Sequence, residues 1–299
     1  MVGSIIDGKQ HAINLRERIK VATENLISKY SITPGLAVVL VGNDPASEIY
    51  VRNKGIQTKE AGMKSLEFRL EEKTSEENLL KKVRELNEDK SVNGILVQFP
   101  VPKHMSQQKI IESILPSKDV DGLHPVNSGY LASGLNGMVP CTPQGSAILI
   151  KETLGDLSGL HAVVVGRSNL VGKPIAQLLL KENCTVTICH SRTKNLKELC
   201  LSADIIVAAV GIPELIKEDW VSKGTTIIDV GINRLDAPEK GPGKTKLVGD
   251  VDFNGAIKNA SSITPVPGGV GPMTIACLLL NTLIATCAQN NIQFSELEF

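Results

Sequence analysis

Aromatic side chains are scarce in this sequence: one tryptophan, three tyrosines and five phenylalanines among 299 residues. A core of that size must therefore be packed from aliphatic groups. Charge imbalance is lacking too, with 32 basic and 32 acidic side chains and no net charge. That excludes a broad electrostatic footprint for nucleic acid and leaves room only for a local basic patch facing a phosphate-bearing small molecule. The six cysteines (Cys141, Cys184, Cys189, Cys200, Cys277 and Cys287) form no C-x-x-C pair and no framework spacing, and the five histidines are scattered, so no metal is expected. Free thiols in a chain of this length fit a reducing compartment. The opening "MVGSIIDGKQ" has no basic leader, long apolar run or Arg/Ser-rich transit stretch. No apolar run reaches membrane-spanning length. These absences predict a soluble, cytoplasmic protein whose partners include neither nucleic acid nor a membrane. The length fits about two domains with real cores.

Strand-like and helix-like stretches alternate almost to the end. "GLAVVLVG" (35–42) is a continuous aliphatic run, as expected for a strand covered on both faces. A helix is predicted from about Pro45 to Ala61, then a strand at "SLEFRL". "TSEE" (74–77) has capping-box spacing before the helical recurrence of Leu79, Leu80, Val83 and Leu86. "GILVQFP" (94–100) reads as a third strand, and 117–142 as a long, ordered but irregular connection. A second series opens at His161: "HAVVVG", "TVTICH", "DIIVAAVG" and "TTIIDVGI" are four strand candidates with helix-like segments between them. That periodicity predicts a parallel sheet with both faces covered. Residues 234–246 read as an exposed loop, and the last strong helix runs from about Pro272 to Cys287. The fold class is α/β with two domains: 1–148, then a Rossmann-like parallel-sheet domain at 149–271, with 272–299 returning to pack on the first.

"VVVGRSNLVGKPIAQLLL" (163–180) joins a strand to a helix through a glycine-bearing turn. Gly166 and Gly172 would let main chain approach a phosphate at a helix N-terminus. The spacing departs from G-x-G-x-x-G, and a plain strand-to-helix turn is an equal reading. About 24 residues after Gly166, where NAD-binding domains carry an acid for the ribose hydroxyls, the chain reads "CHSRT" (189–193). His190, Ser191 and Arg192, with Arg167 in the first turn, would attract a 2′-phosphate where a carboxylate would repel it. NADP is therefore favoured over NAD, against the plainer alternative of a solvated basic loop.

Four further segments are too polar or too glycine-rich for their surroundings: "YVRNK" (50–54), "VQFPVP" (97–102), "DVDG" (119–122) and "PVPGGVGPMT" (265–274). On a helix, Tyr50 and Lys54 share a face about one turn apart. Each segment also has an ordinary explanation. Lys54 could be a hydrated charge, Gln98 an amide satisfied by nearby backbone, Asp121 a turn residue, and "PGGVGP" a tight lead into the last helix.

Taken together, these runs carry a resemblance. With "KDVDGLHPVN", "PCTPQG", "DVGIN" and "VGDVDF", they make the chain similar, essentially end to end, to the bifunctional methylenetetrahydrofolate dehydrogenase/methenyltetrahydrofolate cyclohydrolases, in a compact two-domain form. The resemblance implies a folate-binding catalytic domain with the last helix, an NADP-binding middle domain, a reaction in the cleft between them, and a homodimer. It implies a folate site made by Tyr50, Val51, Arg52, Asn53 and Lys54, by Val97, Gln98 and Phe99, by Asp121, and by Pro267, Gly268, Gly269, Val270 and Gly271. Within it Lys54 is the catalytic amine, Tyr50 stacks on the folate rings, and Gln98 and Asp121 complete the polar site. Gly166, Arg167, Ser168, Ser191, Arg192 and Ile232 are the implied NADP contacts. A different NADP dehydrogenase, acting on a cyclic hydroxy acid, would explain the middle domain but not "YVRNK" together with "PVPGGVGPMT". A non-catalytic folate-binding protein is a second alternative. A member with the dehydrogenase alone is opposed by the intact Tyr50 and Lys54.

Overall fold

The computed structural model describes residues 2–238, 241, 243–297 and 299. It begins with two elements that the periodicities above do not mark, a short strand β1 (Ser4–Ile5) and a long helix α1 (Gly8–Tyr30). The first aliphatic run forms β2 (Gly35–Val41), buried at every position. Helix α2 (Pro45–Glu60) starts where the Asp44 carboxylate accepts the Ser47 N–H at 2.8 Å, with proline in the first turn. Strands β3 (Lys64–Leu70) and β4 (Gly94–Val97) pair with β2 from either side, both parallel. Being central, β2 has no solvated face. Burying its Leu and Val side chains contributes on the order of 10 kcal/mol before chain entropy is counted.

Helix α3 (Glu76–Glu88) turns Leu79, Val83 and Leu86 onto that sheet, beside Ala37, Val39 and Ile95. Its cap is Ser75, whose hydroxyl accepts the Asn78 N–H at 3.2 Å, rather than Thr74 as the spacing predicts. The Thr74 N–H closes a turn onto Glu71 O at 2.9 Å, which delays the helix by one residue. After α4 (Gln107–Ser113), the stretch expected to be irregular contains a helix, α5 (Pro125–Ala132), started by Pro125 and by His124 Nδ1, which accepts the Val126 N–H.

From α6 (Cys141–Leu154) the chain enters the second series: β5 (His161–Val165), α7 (Gly172–Lys181), β6 (Thr185–Cys189), α8 (Leu196–Leu201), β7 (Ile205–Ala208) and β8 (Thr226–Asp229). Residues 234–246 are more ordered than the loop expected of them. They lie in a hairpin of β9 (Asn233–Asp236) and β10 (Thr245–Val248), paired antiparallel, although Glu239, Lys240 and Pro242 lie outside the described residues. A short α9 (Phe253–Ala256), β11 (Ser262–Ile263) and α10 (Val270–Gln289) complete the regular structure. The six-stranded sheet runs β1-β11-β8-β7-β5-β6 with every pair parallel. Its order reverses between β5 and β7, the doubly wound arrangement in which ligands gather at the carboxyl ends of the strands beside that switch.

The chain folds as two compact units, residues up to Ala12 with Thr142–Thr274, and Ile13–Cys141 with Ile275–Phe299. The first twelve residues thus depart from the expected 1–148 grouping, because β1 pairs with β11 in the six-stranded sheet. Helix α10 is long and apolar enough to cross a membrane by length and composition (mean hydropathy 1.7), contrary to the expectation from uninterrupted runs. Yet 78% of that window is buried inside the protein. Its Asn281 is an amide buried mid-way along an apolar helix, and its nitrogen donates to the carbonyls of Val120 and Val139, each at 2.8 Å.

Replacing that amide by a hydrocarbon, Asn281→Leu, leaves the Val139 carbonyl without this donor and Val120 with only the Cys141 thiol at 3.2 Å. Stability should fall by about 1–3 kcal/mol, read as a lower urea midpoint with an unchanged slope.

Candidate functional site

Lys54 sits on α2 with its side chain turned inward (9% exposed), whereas Tyr50, one turn earlier, is 45% exposed. The inward amine donates to Gln98 Oε1 at 2.9 Å. Gln98 follows directly on β4. Its own N–H donates to Val39 O at 2.8 Å, and its amide nitrogen donates to Phe99 O at 2.6 Å, so the amide oxygen is held toward Lys54. The backbone-satisfied reading of this glutamine holds at the amide nitrogen, while its oxygen accepts from Lys54.

Burial pushes the Lys54 amine below the ordinary lysine value, while the charges of Asp121 and Cys141 work against that shift. Burial pushes the Asp121 carboxyl up. Lys54 pulls it down, Asp119 pushes it up, and a hydrogen bond with Cys141 pulls it down. Gly122, after Asp121, has φ +72° and lies where a methyl group would be 2.5 Å from Pro140 N, so the turn reading of "DVDG" holds as well. Cys141 and Asp119 are the members that motif reasoning passed over. The Cys141 thiol donates to Val120 O, and burial first, then Asp121, push it far above the usual thiol range. Asp119 is buried, and its Oδ2 accepts from His124 N at 2.8 Å and Asn127 Nδ2 at 2.9 Å. The "PCTP" run and the first aspartate of "DVD" were the available signals. Of the neighbours named with Lys54, Val51 and Val97 have side chains in the core, Arg52 is exposed, and Asn53 and Phe99 are half-buried.

The glycine-rich segment lies in the other unit. Pro267 is exposed, Gly268 has φ +109°, and a methyl group at Gly269 would meet Pro265 O at 2.6 Å. Val270 and Gly271 open α10, with Val270 buried.

In the same unit, β5 leads through the turn at 166–171 into α7. Gly166 has φ +132°, and a methyl group there would fall 2.2 Å from Ala209 O; one at Gly172 would fall 2.2 Å from Gly166 O. The turn is therefore drawn tightly under the helix N-terminus, with Arg167 and Ser168 exposed above it. Ser168 Oγ accepts the Val171 N–H at 3.1 Å, leaving its own proton to donate. Because Val165 pairs with Cys189, the exposed Ser191 and Arg192 leave the neighbouring strand end. Ile232 follows β8 and is 54% exposed. A cradle closed to any side chain, flanked by two exposed guanidinium groups and two hydroxyls, fits a dinucleotide with an additional phosphate.

Comparison with known proteins gives the same answer from independent grounds. The family described as "Tetrahydrofolate dehydrogenase/cyclohydrolase, catalytic domain" matches residues 6–121, and "Tetrahydrofolate dehydrogenase/cyclohydrolase, NAD(P)-binding domain" matches residues 140–290. The chain is 64% identical over 296 residues to the bifunctional protein FolD of Parvibaculum lavamentivorans, covering 99% of each. Among solved structures, the bifunctional FolD of Campylobacter jejuni superposes with a TM-score of 0.90 at 47% identity, covering 96% of this chain and 99% of that one. The Trypanosoma brucei methylenetetrahydrofolate dehydrogenase-cyclohydrolase, solved with NADP cofactor and an inhibitor, gives 0.90 at 35% identity, covering 97% and 99%. The chain belongs to the tetrahydrofolate dehydrogenase/cyclohydrolase family.

Proposed function

We propose that Lys54 carries the proton transfers of the hydrolytic half of this enzyme's work, with Gln98 and Asp121 setting its position and charge. The enzyme oxidises 5,10-methylene-tetrahydrofolate to 5,10-methenyl-tetrahydrofolate with NADP and hydrolyses that product to 10-formyl-tetrahydrofolate. The observation that carries the assignment is the buried amine, 2.9 Å from a glutamine oxygen that is itself anchored to a strand end.

The two reactions ask different things of the protein. Lone pairs on the two nitrogens flanking the one-carbon bridge expel hydride, and no side chain needs to remove a proton. The chemistry NADP supplies when bound is to accept that hydride. Hydrolysis does need proton movement. Water bonds to the methenyl carbon and loses one proton to a base; one carbon–nitrogen bond then breaks as its nitrogen takes a proton and the new hydroxyl gives up its own to become the formyl carbonyl, so that one proton is released overall. A neutral amine can serve as that base and its ammonium form as the acid, provided its pKa lies below the ordinary value of about 10.4. Burial of Lys54 acts in that direction.

Tyr50, exposed on the same helix, supplies an aromatic face for the folate rings. Arg167, Ser191 and Arg192 supply the charge and hydroxyl that suit a 2′-phosphate. A cytoplasmic homodimer completes the reading. All six cysteines are free thiols, and β6, an outer strand of the six-stranded sheet, leaves Ile188 exposed.

Three measurements test these assignments. Lys54→Met should abolish cyclohydrolase activity and retain measurable hydride transfer, followed together by methenyl and NADPH absorbance; parallel loss of both in a folded variant counts against the assignment. Cyclohydrolase rate should climb with pH and level off below the ordinary lysine range, because the neutral amine is the active form. Since the Asp121 charge holds the Lys54 value up, Asp121→Asn should move that plateau to lower pH, whatever its effect on the maximal rate. Arg167→Ala should raise KM for NADP by about tenfold or more, as expected for a lost charge-assisted contact, with little change in KM for folate.

A further inference from the structure

Two motifs, "DVGIN" (229–233) and "VGDVDF" (248–253), have so far no part in the mechanism. They bring two buried carboxyl groups together at the carboxyl ends of β7 and β8. Asp229 ends β8. Its Oδ1 accepts the N–H groups of Gly231 at 3.0 Å and Asp250 at 2.9 Å, and its Oδ2 accepts that of Val251 at 2.9 Å. Asp250 is wholly buried. Its Oδ2 accepts the N–H groups of Val210 at 2.7 Å and Gly211 at 2.9 Å, in the turn after β7, and its Oδ1 accepts Asn233 Nδ2 at 2.9 Å, in the turn after β8. Five main-chain donors and one side-chain amide thus converge on two carboxyl groups.

The backbone is shaped around them. A methyl group at Gly249 would lie 1.8 Å from Asp229 Oδ2, and one at Gly231 would lie 2.3 Å from Asp250 Oδ1. Burial, then the charge of Asp250, push Asp229 up to about 7 against the pull of its three N–H donors. Two buried acids side by side are a costly way to close two turns where apolar packing would serve stability as well. What the arrangement adds is position. The turns it ties follow adjacent strands, with Ala208 paired to Asp229. Each presents an isoleucine to solvent, Ile212 at 49% and Ile232 at 54% exposure. An exposed isoleucine on a turn held this firmly is an apolar platform at the end of the sheet where ligands bind.

We propose that Asp250, itself set by Asp229, is a positioning residue that ties the turns after β7 and β8 together and so fixes Ile212, with Ile232, as an apolar contact for the rings of NADP. The inference rests on the assignment of Ile232 and Arg167 to the coenzyme site. Asp250 belongs to the compact unit that carries Arg167 and Ile232, and its influence is on coenzyme affinity.

The test measures NADPH binding by fluorescence titration, together with cyclohydrolase turnover of supplied methenyl-tetrahydrofolate in the absence of coenzyme. Asp250→Ala should weaken NADPH binding by about tenfold or more. Asp250→Asn should fall between it and the unmodified enzyme, since one oxygen remains to accept the Val210 and Gly211 N–H groups. Ile212→Ser should weaken binding by about threefold. In all three, coenzyme-free cyclohydrolase turnover and KM for folate should hold. If Ile232→Ser and Arg167→Ala weaken NADPH binding while Asp250→Ala and Ile212→Ser do not, the proposal fails and the coenzyme site stands. If none of the four weakens it, the coenzyme assignment itself fails. If Asp250→Ala unfolds the protein, Asp250→Asn and Ile212→Ser decide, and unaltered binding in both overturns the proposal. Parallel loss of both activities with lowered thermal stability in Asp250→Asn would reduce the pair to a structural role and also overturn it.

Discussion

A lysine amine taken out of water is the constraint around which the catalytic unit is arranged. An ammonium group so placed needs partners, and this one has a glutamine oxygen at 2.9 Å and a neighbouring carboxyl. Each partner requires scaffolding of its own. Gln98 is useful only because β4 ends where it does and its nitrogen is occupied by Phe99 O. Asp121 is placed by a glycine turn, beside a second aspartate whose charge is absorbed by main-chain and amide donors. Asp119 and Asp121 are two residues apart and play opposite parts. One is satisfied and structural, while the other faces the amine.

The same logic recurs in the other unit with different chemistry. Its carboxyl groups also gather main-chain N–H groups, but what they organise is a row of turns along the carboxyl edge of a parallel sheet. Glycines there mark collisions avoided: 166 and 172 beneath the helix N-terminus, 231 and 249 around the buried acids. Both units thus place side chains for chemistry at or beside the carboxyl ends of strands.

Much of this was legible in the residues. β2 and β7 announce themselves as unbroken aliphatic runs, and β5 after its first residue, because a strand covered on both faces has no polar side to alternate with. Lys54 and Gln98 could be picked out as polar groups in apolar settings. Besides α1, the elements that escaped notice include β1, only two residues long, and the β9–β10 hairpin, whose Arg234 reaches across to Thr245. Helix α5 was concealed by composition, since Gly, Ser, Pro and Asn break up the apolar positions around it. The motifs around Cys141 and Asp119 gave a hint of them but not of their partners, Asn281 for the one and Asn127 for the other.

The Asn281 amide of α10 has an implication for how the protein comes into being. Residues near the carboxyl terminus secure the carbonyls on either side of the segment bearing Asp121, and Ser4 waits for Ser262 before β1 has a neighbour. During synthesis the contacts of Val120, Val139 and Ser4 cannot form until residues 262–281 have left the ribosome. A truncated product would therefore be released without them, and the cell would meet it as a substrate for proteolysis.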